Sequence, residues 1–162
     1  MEKPDDIKVI LLMHFLDNAF YKIELQKSRI DADKRSMNTK NLFPDIHFLL
    51  IAFCNLNKLL KNLCSHFKNP NLNTIFTKYE KALTHLNDFR DHLEHITEGR
   101  LDGKGQRGKK LTNPNMLGDL YGDTYHFGGE TFNLKDSFTF SSNLKMELEN
   151  WDNTSNEYPF WN

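Results

Sequence analysis

Between residues 46 and 67, Ile46, Leu49, Phe53, Leu56, Leu60, Leu63 and Phe67 recur three and four apart without interruption. That spacing is the stripe of an α-helix that packs on other helices. Pro44, suited to a first-turn position, and Asp45 after it place the start of this helix near residue 44. A helix this long with so continuous an apolar stripe cannot stand alone. The rest of the chain has to supply helices to cover it.

Two flanking segments do so. Asp5 or Asp6 is placed to cap a first helix through Ile7, Ile10, Leu11, Phe15, Ala19, Ile23 and Leu25, which is expected to fade in the polar stretch 31–41. Lys68-Asn69-Pro70-Asn71 punctuates, and a third helix is predicted from about Asn73 to Glu98, stopped by Gly99. Residues 99–110 (GRLDGKGQRGKK) hold three further glycines and five basic residues and read as a basic loop. The sequence LYGDTYHFGGETFNL then alternates around Gly128-Gly129, predicting a β-hairpin within residues 118–134, with Tyr125 and Phe127 on one face. A last helix is expected over Ser142–Trp151, followed by an aromatic tail, residues 157–162. The fold class is therefore mainly all-α. An antiparallel bundle of about four helices carries a small β-hairpin near the C-terminus, in one domain spanning 1–162.

Composition narrows the classes. The 162 residues are 38% hydrophobic and 27% charged, which fits a globular chain with a real core. A net charge of −1 leaves no global positive field to recruit nucleic acid, so any such binding has to be local. Cys54 and Cys64 lie on one predicted helix, about 15 Å apart in rise, too far for a mutual disulfide. Free buried thiols, no signal-peptide pattern at the start and no apolar run of membrane-spanning length predict a cytoplasmic protein.

One residue breaks the pattern of the third helix. Arg90 falls on the face of Phe76, Tyr79, Leu83, Leu86 and Leu93, where a guanidinium is costly unless an anionic or polar group meets it. Asp91 and His95 are an i, i+4 pair beside it. An acid one turn away can orient an imidazole, a histidine can move a proton at neutral pH, and an arginine can hold phosphate oxygens through its planar fork. These are the parts needed to cleave RNA without a metal or other cofactor: a base for the 2′-hydroxyl, a cation for the transition state and an acid for the leaving oxygen.

Arg90-Asp91-His92-Leu93-Glu94-His95 resembles the signature of the HEPN superfamily of all-helical domains, an arginine and a histidine separated by four to six residues, here four, with Asp91 in the polar slot. The order of a long helix, an apolar helix and a motif-bearing helix resembles that family too. The basic loop 99–110 and the hairpin would be additions to the minimal bundle. The resemblance implies a homodimer whose motifs face each other across a two-fold axis and form a cleft for RNA. Arg90 and His95 would be the catalytic pair and Asp91 their orienting neighbour, in a metal-independent endoribonuclease serving as a toxin, with a cognate antitoxin partner, or in defence. Arg90 and His95 are about 140° apart on an ideal helix, which one copy does not easily close. Arg100, Lys104, Arg107, Lys109 and Lys110 would fold over the cleft as substrate-binding residues.

Other readings stay open. Arg90 could pair with a buried acid of another helix, such as Asp17 or Glu24, in a non-catalytic binding or assembly module of the same shape. Asp88, Asp91, Glu94 and Glu98 crowd the motif and would repel a phosphate backbone. His85, Asp88, His92 and His95 share a helix face at spacings of three, four and three, the pattern of a divalent-metal site needing a further ligand from His14, His47, His66 or His126.

Overall fold

The computed structural model describes residues 4–37, 39–94 and 117–155. It contains α1 (Pro4–Ser36), α2 (Thr39–Phe67), α3 (Pro70–Glu94), β1 (Leu117–Tyr121), β2 (Thr124–Phe127), β3 (Glu130–Asn133) and α4 (Leu134–Ser155). The predicted mainly helical bundle with a small antiparallel sheet near the C-terminus is what the chain forms. Short turns fold α2 back on α1 and α3 back on α2, and α4 packs against both α3 and α1. Asn69 caps α3, its Oδ1 accepting the N–H of Asn71 (2.9 Å) and of Leu72 (3.2 Å), with Pro70 at the first helical position.

The α2 stripe forms the centre of the core: Ile46, Leu49, Phe53, Leu56, Leu60 and Leu63 are all buried. Phe53 meets Phe140 of α4 at 5.2 Å between ring centroids, and Phe67 meets Trp151 edge-on at 5.4 Å. From α1, Val9, Met13, Leu16, Phe20, Ile23 and Ile30 face inward.

Several boundaries differ from the sequence reading: α1 begins at Pro4, so Asp5 and Asp6 lie within it rather than at its cap, and α3 begins at Pro70, not Asn73. α1 does not fade in residues 31–41 but runs to Ser36, because Ile30 is fully buried and Lys34 Nζ bonds Asp123 Oδ1 at 2.5 Å, anchoring the last turns. α2 starts at Thr39, so Pro44 lies inside the helix and forfeits one backbone hydrogen bond where its ring is exposed. α4 starts at Leu134, eight residues before the predicted Ser142. Asn133 is its cap, accepting the N–H of Asp136 at 2.9 Å.

The sheet has order β1-β2-β3, one strand more than the predicted hairpin. Gly128 and Gly129 (φ 59° and 89°) form the two-residue β2–β3 loop, the left-handed pair of a type I′ turn. Gly118, at the irregularity in β1, has φ +84°, and a Cβ there would lie 3.1 Å from Tyr125 Oη and 3.3 Å from Phe43. Only glycine suits that position. Tyr125 and Phe127 share the buried face, as expected, and with Phe132 they surround Phe89 of α3. Phe89 and Phe132 meet edge-on at 4.8 Å. The sheet is thus a cap on the C-terminal half of the helix that carries Arg90.

Candidate functional site around Arg90

The cap decides where Arg90 goes. In the first half of α3, Leu72, Tyr79 and Leu83 face the core; further on, Leu86, Phe89 and Leu93 do. The rings of β2 and β3 packed on Phe89 roll the buried arc toward that residue. Arg90 therefore sits at the margin of the core, half-buried, rather than in the middle of the apolar face. Leu86, Phe89 and Leu93 are themselves three and four apart, so the sequence held the signal. Between adjacent Phe89 and Arg90, the phenyl group gains far more from burial.

Arg90 meets its own helix. Its Nη2 donates a short hydrogen bond to Asp91 Oδ1, and its Nε lies 3.3 Å from Glu94 Oε2. That second contact is a coulombic one, because the Nε–H is not aligned for a hydrogen bond. Asp17 and Glu24 of α1 are not its partners; the acids come from one position and one turn further along α3. Burial works against the charge of Arg90, but the Asp91 hydrogen bond and the nearby Cys54, Asp91 and Glu94 outweigh it and hold the guanidinium pKa above its ordinary value.

Two side chains of α2 close the cluster. His47 Nε2 lies 3.4 Å from Glu94 Oε1, so one carboxylate bridges Arg90 and a histidine of the neighbouring helix. Cys54 is buried beneath, and burial pushes its thiol up to about 11 against the pull of Arg90. That is an inert thiol, not a nucleophile. The sequence named His47 only as a spare metal ligand. Its proximity to Glu94 depends on the register between α2 and α3, which no spacing within one helix reveals.

The other predicted site residues divide clearly. Arg90 and Asp91 are brought together. His95 and the basic residues Arg100, Lys104, Arg107, Lys109 and Lys110 lie outside the described residues, as does the aromatic tail. Of the alternative metal set, His85 Nε2 is 3.0 Å from the Thr131 carbonyl and Asp88 is exposed, while the side chain of His92 and all of His95 lie outside the description. Among the described residues no group of three or more metal-ligating side chains converges. No helix among them is long and apolar enough to cross a membrane.

Arg90 carries one positive charge against the two carboxylates of Asp91 and Glu94, so the cluster has no net excess of cation for a phosphate. Asp91, Arg90 and Glu94 all lie on α3, and the cluster reaches α2 through the approach of His47 Nε2 to Glu94 Oε1. Comparisons with protein-family profiles, with curated proteins and with solved structures gave no match.

Proposed function

We propose that this chain is a non-catalytic, HEPN-like binding or assembly module in which the Arg90 guanidinium is neutralised within α3 while Glu94 reaches His47 of α2. The observation that carries this reading is that Asp91 and Glu94, both on α3, take up the Arg90 guanidinium. A cation that serves a phosphate has to present its fork to the ligand. Here the fork is turned to carboxylates, and a phosphate would have to displace one of them.

A second reading is favoured by one specific contact. Glu94 links Arg90 to His47, so a cation and a proton carrier stand together within one chain. In a metal-independent endoribonuclease of the toxin or defence type, His95 or His47 would take the 2′-hydroxyl proton while Arg90 steadied the phosphorane.

Incubation of the purified chain with RNA in EDTA separates the two. The module reading predicts no cleavage above a vector-only preparation. Cleavage that persists in EDTA and is abolished by both Arg90→Lys and His95→Ala in folded protein would replace it with the nuclease reading.

A further inference from the structure

A helix packed on one side of a bundle normally turns a polar face to water. α1 does not. Opposite its buried face it presents Ile7, Ile10, Leu11, Phe15, Tyr21 and Leu25, exposed between 40% (Ile10) and 66% (Tyr21). On an ideal helix they fall within one arc of about 140°. Together they offer on the order of 600 Å² of largely apolar surface, the upper end of what a typical monomer shows in its largest patch. With rim groups this approaches the roughly 800 Å² per partner of a standard interface. Beside the stripe runs a groove of about 290 Å³, bordered by Phe15, Asn18, Ala19 and Lys22 of α1 and by Ala52, Asn55, Lys58 and Leu59 of α2.

We infer that this face is a homodimer interface, closed by α1 of a second copy running antiparallel. The stripe is arranged for self-pairing. A two-fold axis level with residue 16 sets Ile7 opposite Leu25 and Leu11 opposite Tyr21 of the second copy. The same axis sets Phe15 of each copy opposite Asp17 of the other, one to two residues short of the groove at Asn18 and Ala19. Knob and hole thus lie next to each other on one surface, as an isologous contact requires. Ala19 and Ala52 leave the groove open, and the stems of Lys22 and Lys58 at its border can move aside for a ring. Resting on the assembly reading, this interface names its partner, and α1 rather than Arg90 forms it. It also differs from a dimer whose Arg90 motifs face each other. α1 packs on α2 and α4, and so does α3, which puts α1 and α3 at opposite corners of the bundle. A two-fold on the outer face of α1 keeps the two Arg90 clusters apart.

Sedimentation equilibrium of the full chain across the micromolar range tests this. The wild type should sediment at twice 19.1 kDa. Phe15→Glu and Leu11→Glu, both at exposed positions, should each weaken dimerisation about 30-fold or more. Their far-UV circular dichroism should match the wild type, and Thr84→Glu on the exposed side of α3 should leave the dimer unchanged. If one variant fails to fold, the other still decides. A monomeric wild type, or a dimer indifferent to both substitutions, would overturn the inference. RNA cleavage in EDTA would overturn the assembly reading alone, so the two failures are separable.

Discussion

Replacing Phe89 by alanine should loosen the β-sheet cap from α3. Phe89 is 1% exposed, and its ring lies 4.8 Å from Phe132, 6.0 Å from Tyr125 and 6.4 Å from Phe127 between centroids. Deleting a buried phenyl group removes its transfer free energy and leaves a cavity, about 3–5 kcal/mol for Phe→Ala. This site belongs near the middle of that range, about 4 kcal/mol, because rings from two strands surround it and a paired sheet collapses poorly into a void. For a domain of this size, 1 kcal/mol corresponds to about 2–4 °C, so Tm should fall by roughly 8–16 °C. Urea unfolding of Phe89→Ala, Phe132→Ala and the double variant gives the coupling between the edge-on rings. It should be about 0.5–1.5 kcal/mol. A single-variant loss below about 1.5 kcal/mol, or fully additive variants, would refute the idea that Phe89 fastens the sheet and sets the rotation of α3.

Two further outcomes follow from the titrating groups. With its thiol near 11, Cys54 holds only about one part in a thousand as thiolate at pH 8. Native protein should leave it unlabelled by a thiol reagent, and denaturant should expose it along with Cys64. Rapid native labelling of Cys54, located by peptide mass, would contradict the packing of α2 on α3. Glu147 accepts hydrogen bonds from Lys78 Nζ (2.5 Å) and Tyr79 Oη (2.7 Å), and the Lys78 bond foremost holds its carboxyl below the ordinary 4.5. A depressed carboxyl stabilises the fold above 4.5 and loses that contribution as pH falls through its lower folded value. Glu147→Gln should therefore flatten the acid limb of stability against pH; an unchanged limb would show that the α3–α4 contact contributes nothing there.

The legible parts of this fold were those carried within one element. The α2 stripe needed only its own spacing, and the Gly128-Gly129 loop needed only the residues on either side. Boundaries set by neighbours were harder. The polar residues at the end of α1 looked like a fading helix, yet Lys34 continues it by reaching Asp123, 89 positions away. The start of α4 had a local signal in Asn133, but a segment read as β up to Leu134 drew the helix start too far along the chain. The site shows the same divide. Asp91 and Glu94 are one and four positions from Arg90 and can be paired with it on paper. His47 reaches Glu94 only through the packing of α2 on α3. The second apolar face of α1 was visible in its residues, since Ile7, Leu11 and Phe15 stood in the sequence beside Ala19 and Ile23 as one apolar run. Only the fold divides that run into a buried side and an exposed one.

The role of Arg90 is tested most directly by urea unfolding of Arg90→Ala, measured beside RNA cleavage in EDTA. A structural role predicts a loss of about 1–3 kcal/mol, because Asp91 and Glu94 then lose the cation that both of them meet. Glu94→Gln in the Arg90→Ala background should recover part of that loss, and no variant should differ from the wild type toward RNA. Stability unchanged within about 0.5 kcal/mol, together with an RNA-cleaving activity that disappears with Arg90, would contradict the structural role and make this arginine a residue of catalysis.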